Sequence, residues 1–250
     1  MMKSKKNNDK DKLFNTKREK VEDFNFGKET AEVFDNMLER SIPLYYEQQE
    51  MIGEITGEFA QEGTNVYDLG CSTGITLSTI TKKINKKVNI VGIDYSTDML
   101  KKCKEKLHGS EYEKNLKLIC ADLNQAILIH NASVVVLNLT LQFVRPLNRE
   151  NLIKCIYEGL VDKGCLILVE KILGNNSIFN RVFIKLYYDM KKRQGYTEME
   201  IAQKREALEN VLIPYRLNEN IELLKRNGFK HLDVFFKWYN FCGILAIKQT

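Results

Sequence analysis

The sequence predicts an α/β fold: a seven-stranded, mostly parallel sheet with a helical insertion and a closing antiparallel hairpin. Three observations predict it. From Asn65 onward, short apolar runs alternate with amphipathic stretches. A turn containing Gly70 and Gly74 joins the first run to a helical stretch. Two further apolar runs end the chain around a tight turn. Runs such as V-N-I-V-G-I at 88–93 and V-V-V-L-N at 134–138 are β-branched and mostly apolar, the pattern of strands covered on both faces.

The elements follow in order. Residues 1–23 read as a disordered basic tail, and 24–250 as one domain. Residues 30–62 read as helical. Ala31, Phe34, Met37 and Leu38 recur at helical spacing, and so do Met51, Ile52, Ile55 and Phe59, with Pro43 separating the two stretches. Strands are expected at 65–69, 88–93, 116–121, 133–138 and 165–169, with helices at 74–84, 97–107 and 148–160 between them. Residues 174–214 break the alternation with two amphipathic helices, 177–194 and 198–210. This insertion is too short and too charged for its own core, so it either covers a site or meets a partner chain. A helix at 218–227 stops at Gly228, and strands 231–237 and 241–248 meet at Tyr239–Asn240.

Composition narrows the function classes. The net charge is +5, and residues 1–20 alone hold eight basic against three acidic side chains, so the rest of the chain is balanced. No basic–aromatic array marks a nucleic-acid surface. The cysteines have no C-x-x-C pair, which suits a reducing, cytoplasmic setting without a metal or redox motif. The three histidines, His108, His130 and His231, stand in polar surroundings, and no run reaches membrane-spanning length.

The strongest local signal is Val66-Tyr67-Asp68-Leu69-Gly70-Cys71-Ser72-Thr73-Gly74, which leaves a strand and opens a helix. Glycines there let backbone approach a ligand, and the helix start offers free N–H groups. Asp94 ends the second strand, where a carboxylate accepts both hydroxyls of a ribose. Asp122 and Asn138 end the third and fourth strands, so all of these map to the carboxyl edge of the sheet, where such folds bind ligands. Ser72 replaces the middle glycine of a dinucleotide fingerprint, and Asp68 would repel a pyrophosphate. The loop therefore fits adenosine joined to something smaller, with Asp68 orienting an ammonium directly or through water. The stretch also matches the nucleophile-elbow pattern, with Ser72 and His231, but no oxyanion segment precedes it and Asp94 would be left unused.

Segments spread from about Phe24 to Ile247 make a closer resemblance. They are Ala31-Glu32-Val33-Phe34, Arg40-Ser41-Ile42-Pro43-Leu44-Tyr45, the glycine loop, Val135–Phe143, and Gln203-Lys204-Arg205 with Leu208-Glu209-Asn210-Val211. The chain resembles the carboxy-S-adenosyl-L-methionine synthases, on the class I S-adenosylmethionine-dependent methyltransferase (Rossmann-like) fold. The resemblance implies that Tyr45, Gly70, Cys71, Ser72, Asp94, Tyr95, Asp122, Leu123 and Asn138 surround S-adenosyl-L-methionine. It implies that Arg205 grips the carboxylate added to it, from its own or a neighbouring subunit. It further implies a homodimer that uses prephenate, yields carboxy-S-adenosyl-L-methionine, phenylpyruvate and water, and supplies a tRNA wobble-uridine pathway without itself needing nucleic acid. An ordinary methyltransferase acting on a small molecule or tRNA is the competing expectation. Leu44 stands where family members have glycine, and Thr73 and Tyr95 also depart from the pattern.

Overall fold

The computed structural model describes residues 10–110 and 112–249. Two helices, α1 (Lys28–Ser41) and α2 (Tyr45–Phe59), precede the sheet. The alternating part runs β1 (Asn65–Leu69), α3 (Ile75–Lys83), β2 (Asn89–Asp94), α4 (Thr97–Leu107), β3 (Leu116–Cys120), β4 (Ala132–Asn138), α5 (Pro146–Gly159) and β5 (Leu160–Lys171). The insertion supplies α6 (Ser177–Arg193) and α7 (Glu198–Leu208). Helix α8 (Leu217–Arg226) and strands β6 (His231–Trp238) and β7 (Phe241–Ile247) complete the chain.

The sheet order is β3-β2-β1-β4-β5-β7-β6. The first five strands are parallel, and β7 runs antiparallel to both β5 and β6. The order reverses between β1 and β4, which opens a crevice at their carboxyl ends. Both faces of the sheet are covered, as the apolar runs demand. Along β4, Val135 and Leu137 join a core with Ile153, Ile156, Leu224 and Phe229, while Val134 and Val136 join one with Ile52, Leu77 and Ile80. Each such side chain contributes about 1.5–3 kcal/mol by leaving water.

Two expectations are corrected. Strand β3 is an edge strand with partly exposed residues, because the sheet ends there. The larger correction concerns the tail: residues 10–23, expected to be disordered, pack against α1 and α7. Phe14 and Phe24 join a core with Phe34, Met37, Met99 and Ala207. Gln203 Nε2 donates to the carbonyls of Phe14 and Thr16 at 2.9 Å each, and its Oε1 accepts from Arg18 N at 2.7 Å. Asp11 is buried and accepts from Tyr196 Oη at 2.5 Å, while its carbonyl accepts from Arg40 Nη1 at 3.2 Å. A few anchors inside a highly charged stretch outweigh its average composition. Residues 1–9 of the expected tail lie outside the described residues.

Candidate active site

The loop Gly70–Gly74 is built by the sheet itself. The N–H groups of Gly70 and Cys71 both donate to Ile93 O, at 2.7 and 3.0 Å, so the chain leaves β1 tied to β2. Gly70 has φ 79°, and a Cβ there would stand 2.4 Å from Thr140 Oγ1. At Gly74, with φ 80°, a Cβ would meet Cys103 Sγ at 2.6 Å. Close approach of the protein's own neighbouring elements therefore already requires both glycines. Ser72 takes the left-handed region too, with φ 47°, and its N–H turns toward β2.

That N–H finds Asp94. Asp94 Oδ2 accepts from Ser72 N at 3.0 Å and Oδ1 accepts from Ser96 N at 2.9 Å. One carboxylate thus fixes two loops and keeps its remaining lone pairs for a ligand. Burial raises the Asp94 carboxyl above its ordinary range, against the lowering effect of those N–H donors. Asp68 lies fully inside, and burial, followed by the Asp94 charge, pushes it up to about 8. Its Oδ2 has no hydrogen-bond partner among the described residues. Asn138 Nδ2 donates to Thr76 Oγ1 at 3.2 Å, while its Oδ1 is also buried and unpartnered.

Asp94, Asn138 and Thr76 open on a cavity of about 390 Å³ at the switch point, in the size range of small-molecule sites, while Asp68 lies behind its lining. Tyr45, Gly70, Cys71, Ser72, Asp94, Tyr95, Asp122, Leu123 and Asn138 all line it. Phe26 stacks edge-on against Tyr95 and Phe143, at 6.1 and 5.2 Å between centroids, and makes an aromatic wall at the acidic end. The first turn of α3 contributes Ile75 and Thr76, which brings its free N–H groups to the same space. Buried acceptors without partners, a ring of carboxylates and an aromatic wall fit a cationic nucleoside.

Leu44, φ 51° and half exposed, sits at the start of α2 in a conformation that favours glycine. Tyr45, the first residue of the helix that follows, lines the cavity. Thr73 Oγ1 donates to Asp35 at 2.5 Å, an outward anchor for the loop.

Arg205 is not in the cavity of its own chain. It is exposed, in a shallow groove between α6 and α7 with Arg181, Tyr188 and Asp189. Helix phase explains this: α7 buries Glu200, Ile201, Gln203, Lys204 and Ala207 on one broad face, and Arg205 falls outside that face. Lys204 takes the inward position and lines the cavity, as do Lys171 and Tyr187, which the sequence reading passed over or assigned to packing. Lys171 carried a signal: it ends the run L-I-L-V-E-K, where a buried strand turns polar at the ligand-binding edge.

Comparisons place the chain. A model of the methyltransferase domain matches residues 66–164. A carboxy-S-adenosyl-L-methionine synthase of Methylococcus capsulatus is 53% identical over 240 residues, covering 96% of this chain and 99% of that protein. One from Helicobacter pylori is 45% identical over 245 residues, covering 96% of this chain and all of its own length. Among solved structures, an O-methyltransferase family protein from Burkholderia thailandensis aligns with TM-score 0.66 at 12% identity, over 90% of this chain and 64% of that one. Human N-acetylserotonin methyltransferase aligns with TM-score 0.58 at 14% identity, over 89% of this chain and 55% of that one. This chain spans less than two thirds of either structure, and such distant likeness speaks for the fold alone. The near end-to-end identity with the curated relatives decides the matter: the chain belongs to the carboxy-S-adenosyl-L-methionine synthase family.

Proposed function

We propose that the protein converts S-adenosyl-L-methionine and prephenate to carboxy-S-adenosyl-L-methionine, phenylpyruvate and water, and so supplies a carboxymethyl donor for tRNA wobble-uridine modification. One observation supports this most: the chain is 53% identical to a synthase of that name over nearly its whole length.

In this reading Asp94 accepts both ribose hydroxyls, while Tyr95, Asp122 and Leu123 flank the adenine. Asn138 Oδ1 serves the amino-acid end, and Asp68, which does not line the cavity, acts on the ammonium through water. Bound there, the sulfonium supplies one thing: it acidifies its own methyl group, so that carbon can take up a carboxyl group. The protein holds the two substrates in contact and keeps water out, because water would quench the activated carbon. As the prephenate ring becomes aromatic it loses carbon dioxide to the methyl carbon and its ring hydroxyl as hydroxide, which leaves with the methyl proton as water, and the aromatisation supplies the driving force.

Arg205 keeps the role of gripping the new carboxylate, but across a homodimer. Ile178, Phe179 and Val182 are exposed on α6 and form an apolar stripe suited to a second copy. Such an interface would carry the guanidinium, whose planar fork suits a carboxylate, to the neighbouring cavity. Protein purified without added ligand should retain a nucleoside about 44 Da heavier than S-adenosyl-L-methionine, the mass of carbon dioxide, held by charge-assisted bonds. Retention of S-adenosylhomocysteine alone would instead point to plain methyl transfer.

A further inference from the structure

The cavity has two electrostatic ends. Gly70, Asp94 and Asp122 follow β1, β2 and β3 on one side of the switch point, so that end is acidic. Lys171 ends β5 on the other side, and Lys204 reaches the same cavity from α7.

The basic end is poorly neutralised. Lys171 Nζ has no hydrogen-bond acceptor or ion pair among the described residues, and its nearest compensation is the Tyr187 ring, 5.0 Å to the centroid. Lys204 donates to Ser41 Oγ at 3.1 Å and stands 3.8 Å from Asp11 Oδ2, an acceptor already holding the Tyr196 hydroxyl proton. Lys191 and Arg40 crowd the same region, stacked on Tyr187 and Tyr196. Among the described residues, Asp11 is the acid that acts on Lys191 and Lys204. Burial lowers both cavity lysines to about 8, and Lys204 is lowered further by Arg40 and Lys171 against the pull of Asp11. Lys204 has a partner in Asp11, but Lys171 has none among the described residues, and an unpaired buried cation is costly and persists where an anion completes it. The sulfonium and ammonium of S-adenosyl-L-methionine favour the acidic end, so its methionine carboxylate is the one group of that molecule that competes for the lysines, and its binding constant separates the two occupants.

We propose that Lys171 and Lys204 form a carboxylate-recognition site for the second substrate, and so select an acidic co-substrate and orient it toward the sulfonium end. The assignment rests on the two-substrate reading given above. It differs from the role of Arg205, which concerns the carboxylate after transfer and comes from the neighbouring chain. Tyr187 lines the same subsite beside Lys171.

The test uses the full-length protein and initial rates of product formation at varied prephenate and varied S-adenosyl-L-methionine. Lys171→Gln should raise the KM for prephenate about tenfold or more, the size of one lost charge-assisted bond. The dissociation constant for S-adenosyl-L-methionine should stay within about twofold. Lys171→Arg should recover part of the lost affinity. Lys204→Gln should act in the same direction, and because Lys204 also meets Ser41 and Asp11, Lys171→Gln decides the matter if that variant fails to fold. An active wild type with an unchanged prephenate KM in Lys171→Gln overturns the assignment alone. A loss confined to S-adenosyl-L-methionine binding also overturns it. A wild type with no turnover on prephenate overturns the two-substrate reading and this site with it.

Discussion

Replacing Asp94 by asparagine isolates the nucleoside-binding step from the stability of the fold. Both carboxylate oxygens of Asp94 are committed to backbone donors, Ser72 N at 3.0 Å and Ser96 N at 2.9 Å, and the side chain is only 6% exposed. An amide presents one oxygen and one NH2 group, so one of the two N–H donors loses its acceptor and one ribose hydroxyl loses its partner. A hydrogen bond to a charged group is worth about 1.5–3 kcal/mol, which gives a roughly 10- to 150-fold weaker dissociation constant for S-adenosyl-L-methionine. The free protein should suffer less. Losing one anchor is offset by removing a charge whose burial already raises its pKa. The melting temperature of the ligand-free variant should move by less than about 4 °C, the shift expected from about 1 kcal/mol in a chain of this size. Calorimetric titration gives the affinity and thermal unfolding gives the stability. An affinity within twofold of wild type would refute the assignment of Asp94 to the ribose.

Three further outcomes are expected. Leu44→Gly should stabilise the protein by about 0.5–1 kcal/mol by relieving left-handed strain at a half-exposed side chain, read as a small rise in melting temperature. Asp68 and Glu170 are each pushed up to about 8, chiefly by burial, so the folded state keeps protons that the unfolded state sheds near pH 4, and stability falls between about pH 4 and 8. Lys171 and Lys204 sit at about 8 when folded but titrate near 10 when unfolded, so stability recovers from about pH 8 to 10. The ligand-free protein should therefore show a stability minimum near pH 8 in denaturant titrations, and Asp68→Asn should flatten its acid side. Finally, Arg205→Leu should cost about 2–4 kcal/mol in transition-state stabilisation. Mixed with Asp94→Ala chains it should recover turnover that neither variant has alone, since each hybrid keeps one intact pocket facing one intact arginine; no recovery would remove the cross-subunit role.

The acidic half of the site was legible because its geometry is local. A turn after one strand and a carboxylate at the end of the next are fixed by spacing along the chain, and Gly70, Ser72 and Asp94 meet as that spacing requires. The basic half depends on long-range packing. Lys204 and Arg205 are neighbours on α7, and only the way that helix meets the N-terminal segment decides which one enters the cavity. That segment was itself misread, since its lysines dominate its composition while Asp11 and Phe14 carry its structure. The insertion helices were placed correctly from periodicity, yet periodicity does not say which face turns toward ligand and which toward solvent.

The central claim is that this cavity brings an acidic co-substrate to a sulfonium methyl group and leaves a carboxylate there. Mass spectrometry of S-adenosyl-L-methionine incubated with the protein tests it most directly, with and without prephenate. A species about 44 Da heavier is expected, formed only with prephenate and accompanied by phenylpyruvate, a product retained by charge-assisted bonds. Unaltered S-adenosyl-L-methionine in both incubations, with the protein folded and the nucleoside bound, would contradict it.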